Sequence, residues 1–232
     1  MKHTLLIRKS ILLIFLLASA AAFSQMRGGA KQTLFWAGPK IGMNISNFYS
    51  DSTNPYNQYK IDFMGGASVN FSFNSNLSVG TEFNYSPKGG KYKFHTDTSS
   101  IRQSYSLTYL DVPLLVQVKG GEEDVSVFFQ LGAQKSFLLN AEYSEKKTYG
   151  AVSSSLSDSD VKSLGVPKSD FGFLAGFGFI SEYGWCFTLR ANIGMTDIPD
   201  HYNKITVRTM AFQASLGYYF GRKYNVIGGK SR

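Results

Sequence analysis

Apolar and polar side chains alternate with a period of two along most of the chain. In the last such segment Met210, Phe212, Ala214, Leu216, Tyr218 and Phe220 fall on one face, and Thr209, Ala211, Gln213, Ser215, Gly217 and Tyr219 on the other, as in a half-buried strand. Leu77, Val79, Thr81, Phe83 and Tyr85 alternate in the same way with Ser78, Gly80, Glu82, Asn84 and Ser86, and Phe187, Leu189, Ala191 and Ile193 with Cys186, Thr188, Arg190, Asn192 and Gly194. The pattern predicts eight strands, at about 35–47, 61–73, 76–86, 104–118, 125–137, 171–181, 185–195 and 207–220. An even count lets antiparallel hairpins close on themselves. The connections alternate: 74–76, 119–124 and 182–184 are short, whereas 48–60, 87–103, 138–170 and 196–206 are long. No stretch of 18 apolar residues follows residue 25, so no membrane-spanning helix is predicted.

A soluble barrel or β-sandwich would show the same alternation, so the direction of the apolar face has to be decided. The second face carries Lys40, Glu82, Asp111 and Arg190 among Gly, Ser, Asn and Gln, while the apolar face lacks charge along most segments. That fits an inside-out barrel, in which lipid meets the apolar face and closure satisfies every backbone N–H and C=O. Composition points the same way. Charged residues make up 17% of the 232, below the roughly 25% of ordinary soluble domains, and 19 Phe and 14 Tyr accompany 23 Gly but only 6 Pro. Short turns at one end and long connections at the other match the periplasmic turns and external loops of outer-membrane barrels. The expected fold is therefore all-β, an eight-stranded antiparallel transmembrane β-barrel.

Phe35, Trp36, Tyr85, Tyr105, Trp185, Tyr218 and Phe220, near strand ends, are candidates for interfacial aromatic girdles. Two features strain the pattern. Pro39 and Pro113 fall inside predicted strands, where they cannot donate to a ladder, so bulges or strand ends are expected there. Phe128, Leu174 and Ile180 land on the nominally polar face.

The N-terminus reads as an export signal. Lys2, Arg8 and Lys9 precede an apolar run from Ile11 to Ala22, and Ala22-Phe23-Ser24 supplies small residues where a signal peptidase cuts, so residues 1–24 are expected to be removed before Gln25. Loss of those three bases takes the formal charge from +8 to +5. The barrel is then assigned to 25–220 and a tail to 221–232. The single cysteine, Cys186, excludes an internal disulfide and reads as a small strand residue.

Three stretches resemble one family. The opening Gly38-Pro39-Lys40-Ile41-Gly42-Met43-Asn44-Ile45-Ser46-Asn47-Phe48, the central Tyr109-Leu110-Asp111-Val112-Pro113-Leu114-Leu115 and the closing Ser215-Leu216-Gly217-Tyr218-Tyr219-Phe220 resemble the PorT-like outer-membrane β-barrel family of the Bacteroidota. The resemblance implies an eight-stranded barrel in the outer membrane and, for a few members, a link to type IX secretion. The tail from Gly221 to Arg232 departs from a terminal aromatic strand.

Catalytic chemistry finds little support. The mature chain holds two histidines, His95 near Asp97 and His201 near Asp197 and Asp200, each in a predicted loop and each read as a solvated loop residue, with no ligand spacing for a metal. The Gly-rich pieces at 172–178 and 89–90 do not lie between a strand and a helix, so they read as close packing in a narrow lumen rather than a phosphate loop. Bases are scattered without aromatic interleaving, which speaks against nucleic acid. Outer-membrane lipid and lipopolysaccharide are the expected partners, with Lys135 and Arg208 on the lipid-facing parity as possible lipopolysaccharide contacts, snorkelling being the alternative.

The expectation is a non-catalytic outer-membrane barrel without cofactor or metal. It would serve as an accessory of a type IX-like secretion or envelope-assembly machine or, alternatively, as a surface binding or adhesion barrel acting through its loops, 138–170 foremost; a lipid-modifying enzyme is the least favoured reading. Eight strands leave room only for side chains, so Lys40, Glu82, Asp111 and Arg190 are expected to form a polar network that plugs the lumen, Glu82 and Arg190 reaching across it from opposite strands, with Lys40 alongside and Asp111 nearer the external end.

Overall fold

A computed structural model describes residues 35–220 except 51–55, 74–75, 97, 122–124, 150–151, 160–164 and 201–204. The expected signal segment, the tail, Asp97 and His201 lie outside the described residues.

Among the described residues ten strands are formed: β1 (Phe35–Tyr49), β2 (Gln58–Ser72), β3 (Leu77–Thr96), β4 (Ser99–Gly121), β5 (Val125–Tyr149), β6 (Val152–Asp158), β7 (Ser169–Ser181), β8 (Trp185–Gly194), β9 (Ile198–Asp200) and β10 (Ile205–Tyr218). Eight close a ring in the order β1-β2-β3-β4-β5-β7-β8-β10, sealed by antiparallel pairing of β1 with β10 from Lys40↔Gly217 to Tyr49↔Arg208. β6 adds to β5 and β9 to β10 outside the ring. The β7–β8 connection is a four-residue turn in which the Gly184 N–H donates to the Ser181 carbonyl at 3.1 Å. Gly184 adopts φ +93°, which a side chain would strain.

The strands run further than the hydrophobic pattern predicts. The expected loop 87–103 is mostly strand: β3 and β4 pair without a break from Asn84↔Asp111 to Thr96↔Ser99. Much of 138–170 is strand too, with β5 continuing to Tyr149 and folding back as β6. β3, β4, β5 and β6 thus continue beyond the rest of the ring as one projecting sheet.

The prolines produce neither bulges nor strand ends. The β1–β10 ladder stops at Lys40↔Gly217 and returns in the same register as the bridge Ala37↔Phe220, with Pro39 in the gap. The β3–β4 ladder likewise skips from Thr81↔Leu114 to Asn84↔Asp111, leaving Pro113 opposite Glu82. A missing N–H is accommodated by omitting a rung while keeping the register.

Around the lower part of the ring the apolar face points outward. Phe63 is 80% exposed, Ile41 69%, Phe129 68% and Leu131 66%, while Lys40, Glu82, Asp111, Arg190, Gln130 and Asn192 are buried inside. Three layers fill the interior. At the short-turn end Trp36, Phe128, Ile180, Cys186 and Tyr219 pack together, Trp36 meeting Tyr219 edge to face with ring centroids 4.2 Å apart. Polar side chains occupy the middle. At the far end Phe48, Tyr56, Tyr105, Leu107, Tyr109, Ala141, Tyr143, Val166, Ile198 and Val207 form a second apolar cluster. The apparent misfits Phe128 and Ile180 therefore belong to the lower plug, and Leu174 is also buried inside. Two girdle assignments are corrected: Trp36 and Tyr105 point inward and are buried, whereas Phe35, Tyr85, Trp185 and Phe220 face outward. Parity carries the reason, since Trp36 shares its phase with Lys40, and Tyr105 with Asp111.

Candidate functional site

The middle layer of the lumen is built on Glu82, which β3 presents inward opposite the Pro113 gap. Lys40 Nζ donates to both carboxylate oxygens at 3.0 and 2.9 Å, Arg190 Nη2 to Oε2 at 2.7 Å, and Asn84 Nδ2 to the same oxygen at 2.8 Å. Arg190 Nε donates to Gln213 Oε1 at 2.6 Å, which fixes the guanidinium from the β10 side. Gly176 makes room for that arginine, because a Cβ there would lie 2.5 Å from the Arg190 Cβ. The side chains of Lys40, Glu82 and Arg190 are at most 5% exposed, so their charges interact with little screening.

Asp111 does not join this cluster. It sits one level further from the short-turn end and pairs with Lys88, Nζ lying 2.9 Å from Oδ2 and 3.1 Å from Oδ1, with both side chains 1% exposed. Asp170, also buried, accepts from Thr209 Oγ1 at 3.0 Å and from the Thr196 N–H at 3.1 Å. Among the described residues the buried charges are Lys40, Lys88 and Arg190 against Glu82, Asp111 and Asp170, three of each sign. Neutral side chains bridge the levels: Asn44 Nδ2 donates to Ser86 Oγ at 2.9 Å and Asn192 Nδ2 to Gln134 Oε1 at 2.7 Å. Lys88 and Asp170 were missed in the sequence because both fell in predicted loops. The signal that finds Lys88 is its even number, in phase with Glu82, Asn84 and Ser86.

Of the two proposed lipopolysaccharide contacts, Lys135 lies exposed on the outer face of β5, below Phe137 and Leu139, within the lipid-facing band. Arg208 also lies on the outer parity of β10, and its Nε donates to Asp197 Oδ1 at 2.6 Å. His95 stands exposed on β3 across from Ser100.

The projecting sheet holds a second concentration of charge. Lys93 pairs with Arg102, and Arg102 with Lys146, so three cations occupy one row across β3, β4 and β5. Lys91, Ser104 and Ser144 form the next row down. These residues line a shallow cavity of about 180 Å³ on the outer face of the sheet. On its inner face Glu145 accepts from Gln103 Nε2 at 2.7 Å and Tyr143 OH at 3.0 Å, and pairs with Lys147 at 2.6 Å. Burial alone would raise the Glu145 carboxyl, but the bonds from Lys147, Gln103 and Tyr143 outweigh it and hold it below its usual value of 4.5. Hydrogen bonding to Glu145 raises Lys147 in turn.

A family model described as outer membrane protein beta-barrel domain matches residues 23–200. No curated protein matches the chain significantly. Among solved structures it is similar to Ail, the attachment invasion locus protein of Yersinia pestis, at 17% identity and a TM-score of 0.38 over 80% of this chain and 98% of that one. OprG from Pseudomonas aeruginosa is similar at 13% identity and a TM-score of 0.41, over 80% and 95% of the two chains. For Neisserial surface protein A the figures are 12%, 0.37, 79% and 96%.

Proposed function

The chain belongs to the outer membrane protein β-barrel domain family, and we propose that within it this protein is a closed, non-catalytic surface-binding barrel acting through its projecting sheet. It resides in the outer membrane of a Gram-negative bacterium. The observation that carries the proposal is the contrast between a filled interior and a built exterior. From Trp36 and Tyr219 at one end, through Lys40, Glu82 and Arg190, to Tyr105 and Tyr143 at the other, buried side chains occupy the lumen, while β3–β6 continue outward as an ordered sheet. An eight-strand interior is only wide enough for such side chains, so transport through it is disfavoured and the exterior is the place for binding. The secretion-accessory reading rests on the three resembling motifs alone, and no described contact adds to it.

Planar-bilayer recording of the purified protein tests the closed lumen. The expected outcome is no steady conductance from the wild type, and a leak once Trp36, Glu82 and Tyr105 are all replaced by Ala. Large steady conductance from the wild type overturns the proposal.

A further inference from the structure

We propose that Lys91, Lys93, Arg102 and Lys146 form an anion site for phosphate groups on the inner-core sugars of lipopolysaccharide, which deepens and rests on the surface-binding reading above. The row Lys93–Arg102–Lys146 is costly as built, because like charges directly opposite one another in a sheet repel. Nothing described on the same face neutralises it. The nearby acid Glu145 is turned to the inner face and engaged by Lys147, Gln103 and Tyr143, and Glu142, which does face outward, lies four residues down β5 and accepts from Asn140. Asp62, the other acid on this side, is held by Lys60, so the outer face keeps a surplus of cations around a cavity of about 180 Å³, large enough for a phosphorylated sugar ring to lodge against. Ser104 and Ser144 also line it.

The backbone beneath is held in place. Asn57 accepts from the Lys93 N–H at 3.1 Å and donates to its carbonyl at 2.9 Å, so the main chain at Lys93 is fixed before any ligand arrives. Height and direction choose among anions. Lys91 and Lys93 lie six and eight residues beyond the lipid-facing Tyr85 along β3, which at about 3.3 Å per residue and a tilt of about 40° is roughly 15–20 Å above that ring. The cluster thus stands above lipid phosphates at the bilayer edge, at the level of core sugars. It also faces sideways, along the membrane plane toward neighbouring lipopolysaccharide, rather than upward toward molecules arriving from the medium.

The test uses the full barrel in phosphatidylcholine nanodiscs, titrated calorimetrically with delipidated, phosphorylated core oligosaccharide from deep-rough lipopolysaccharide. The triple variant Lys93→Gln, Arg102→Gln, Lys146→Gln should bind at least tenfold more weakly, and enzymatic dephosphorylation of the probe should weaken wild-type binding by a similar factor. Lys147→Gln, on the opposite face, should bind as the wild type does. Heat-dependent gel migration checks that each variant is folded. Unchanged binding by the folded triple variant, or equal binding of the dephosphorylated probe, overturns the inference. Tighter binding of a heparin oligosaccharide than of the core probe also overturns it, and reassigns the cations to a sulfated glycan from outside the cell. A conducting barrel would sink the surface-binding reading whatever the calorimeter returns, whereas a silent barrel with an indifferent triple variant sinks the phosphate site alone.

Discussion

β4 reads differently in its two halves. Toward the short-turn end Leu114, Val116 and Val118 face outward and are about half exposed, while Asp111 and Gln117 are buried within. Beyond Leu110 the order reverses: Tyr105, Leu107 and Tyr109 are fully buried inside, and Ser104, Ser106 and Thr108 face out. Nothing in the backbone changes, since the strand keeps one alternation from end to end. What changes is the solvent on its outer side. Where lipid surrounds the wall, polar groups are driven into the lumen; where water surrounds it, the same physics buries the apolar residues instead. β5 makes the change with an extra residue. The β4–β5 register passes from Thr108↔Asn140 to Tyr109↔Leu138, so Leu139 forms a bulge, and the inward phase moves from Gln134 and Ser136 to Ala141 and Tyr143.

If the halves differ as described, removing a charge should be expensive in the lumen and cheap in the projecting sheet. Glu82→Ala leaves Lys40 and Arg190 buried beside one another and should lower the unfolding free energy in lipid vesicles by about 3 to 5 kcal/mol. Arg190→Ala should also destabilise, and the double variant should lose less than the two losses added together. Glu145→Ala, whose partner Lys147 is 40% exposed, should cost about 1 kcal/mol or less. Urea unfolding measures all four; equal losses for Glu82→Ala and Glu145→Ala would mean that water reaches the lumen and that the contrast is false.

A smaller effect separates the apolar residues of β4. Leu107→Ala opens a hole in the outer cluster and should cost about 2 to 5 kcal/mol, whereas Leu114→Ala removes contact with lipid that refills by itself and should cost well under that. Similar losses at both positions would show that the projecting half is not packed as a core.

The eight lipid-facing segments were legible in the sequence because one environment acts on them throughout, and the opposition of Glu82 and Arg190 follows from counting strands around a closed ring. The projecting sheet was not legible, for a physical reason. Pro87-Lys88-Gly89-Gly90-Lys91 has the composition of a loop, yet the glycines serve close approach: a Cβ at Gly89 would lie 3.1 Å from the Lys60 side chain, which crosses β3 to donate to Ser106. Reversal of the apolar face also misplaced Tyr105, because past Leu110 the outward phase carries Thr108, Ser106 and Ser104 while Tyr105, Leu107 and Tyr109 turn inward. Arg102 and Lys146, far apart in sequence, become neighbours only through the β4–β5 register below the unpredicted hairpin.

The smallest expected effect lies at the tip of the projecting sheet and concerns pH. The folded Glu145 carboxyl is held below 4.5, so its contribution to stability is present above the unfolded carboxyl's value and is lost as pH falls through the folded one. Lys147 is raised above 10.5, so its contribution is present below that value and fades only as pH rises past it. Between those limits both groups are charged and β5 keeps its pair; acidification into the carboxylate range breaks it and weakens the acceptor that Gln103 of β4 reaches. Carbon-13 labelling of the glutamate carboxyls should give Glu145 a midpoint below the ordinary carboxylate value, and Lys147→Gln should move it upward. A midpoint unmoved by that substitution would assign the shift to Gln103 and Tyr143, and the ion pair on β5 would then have no part in it.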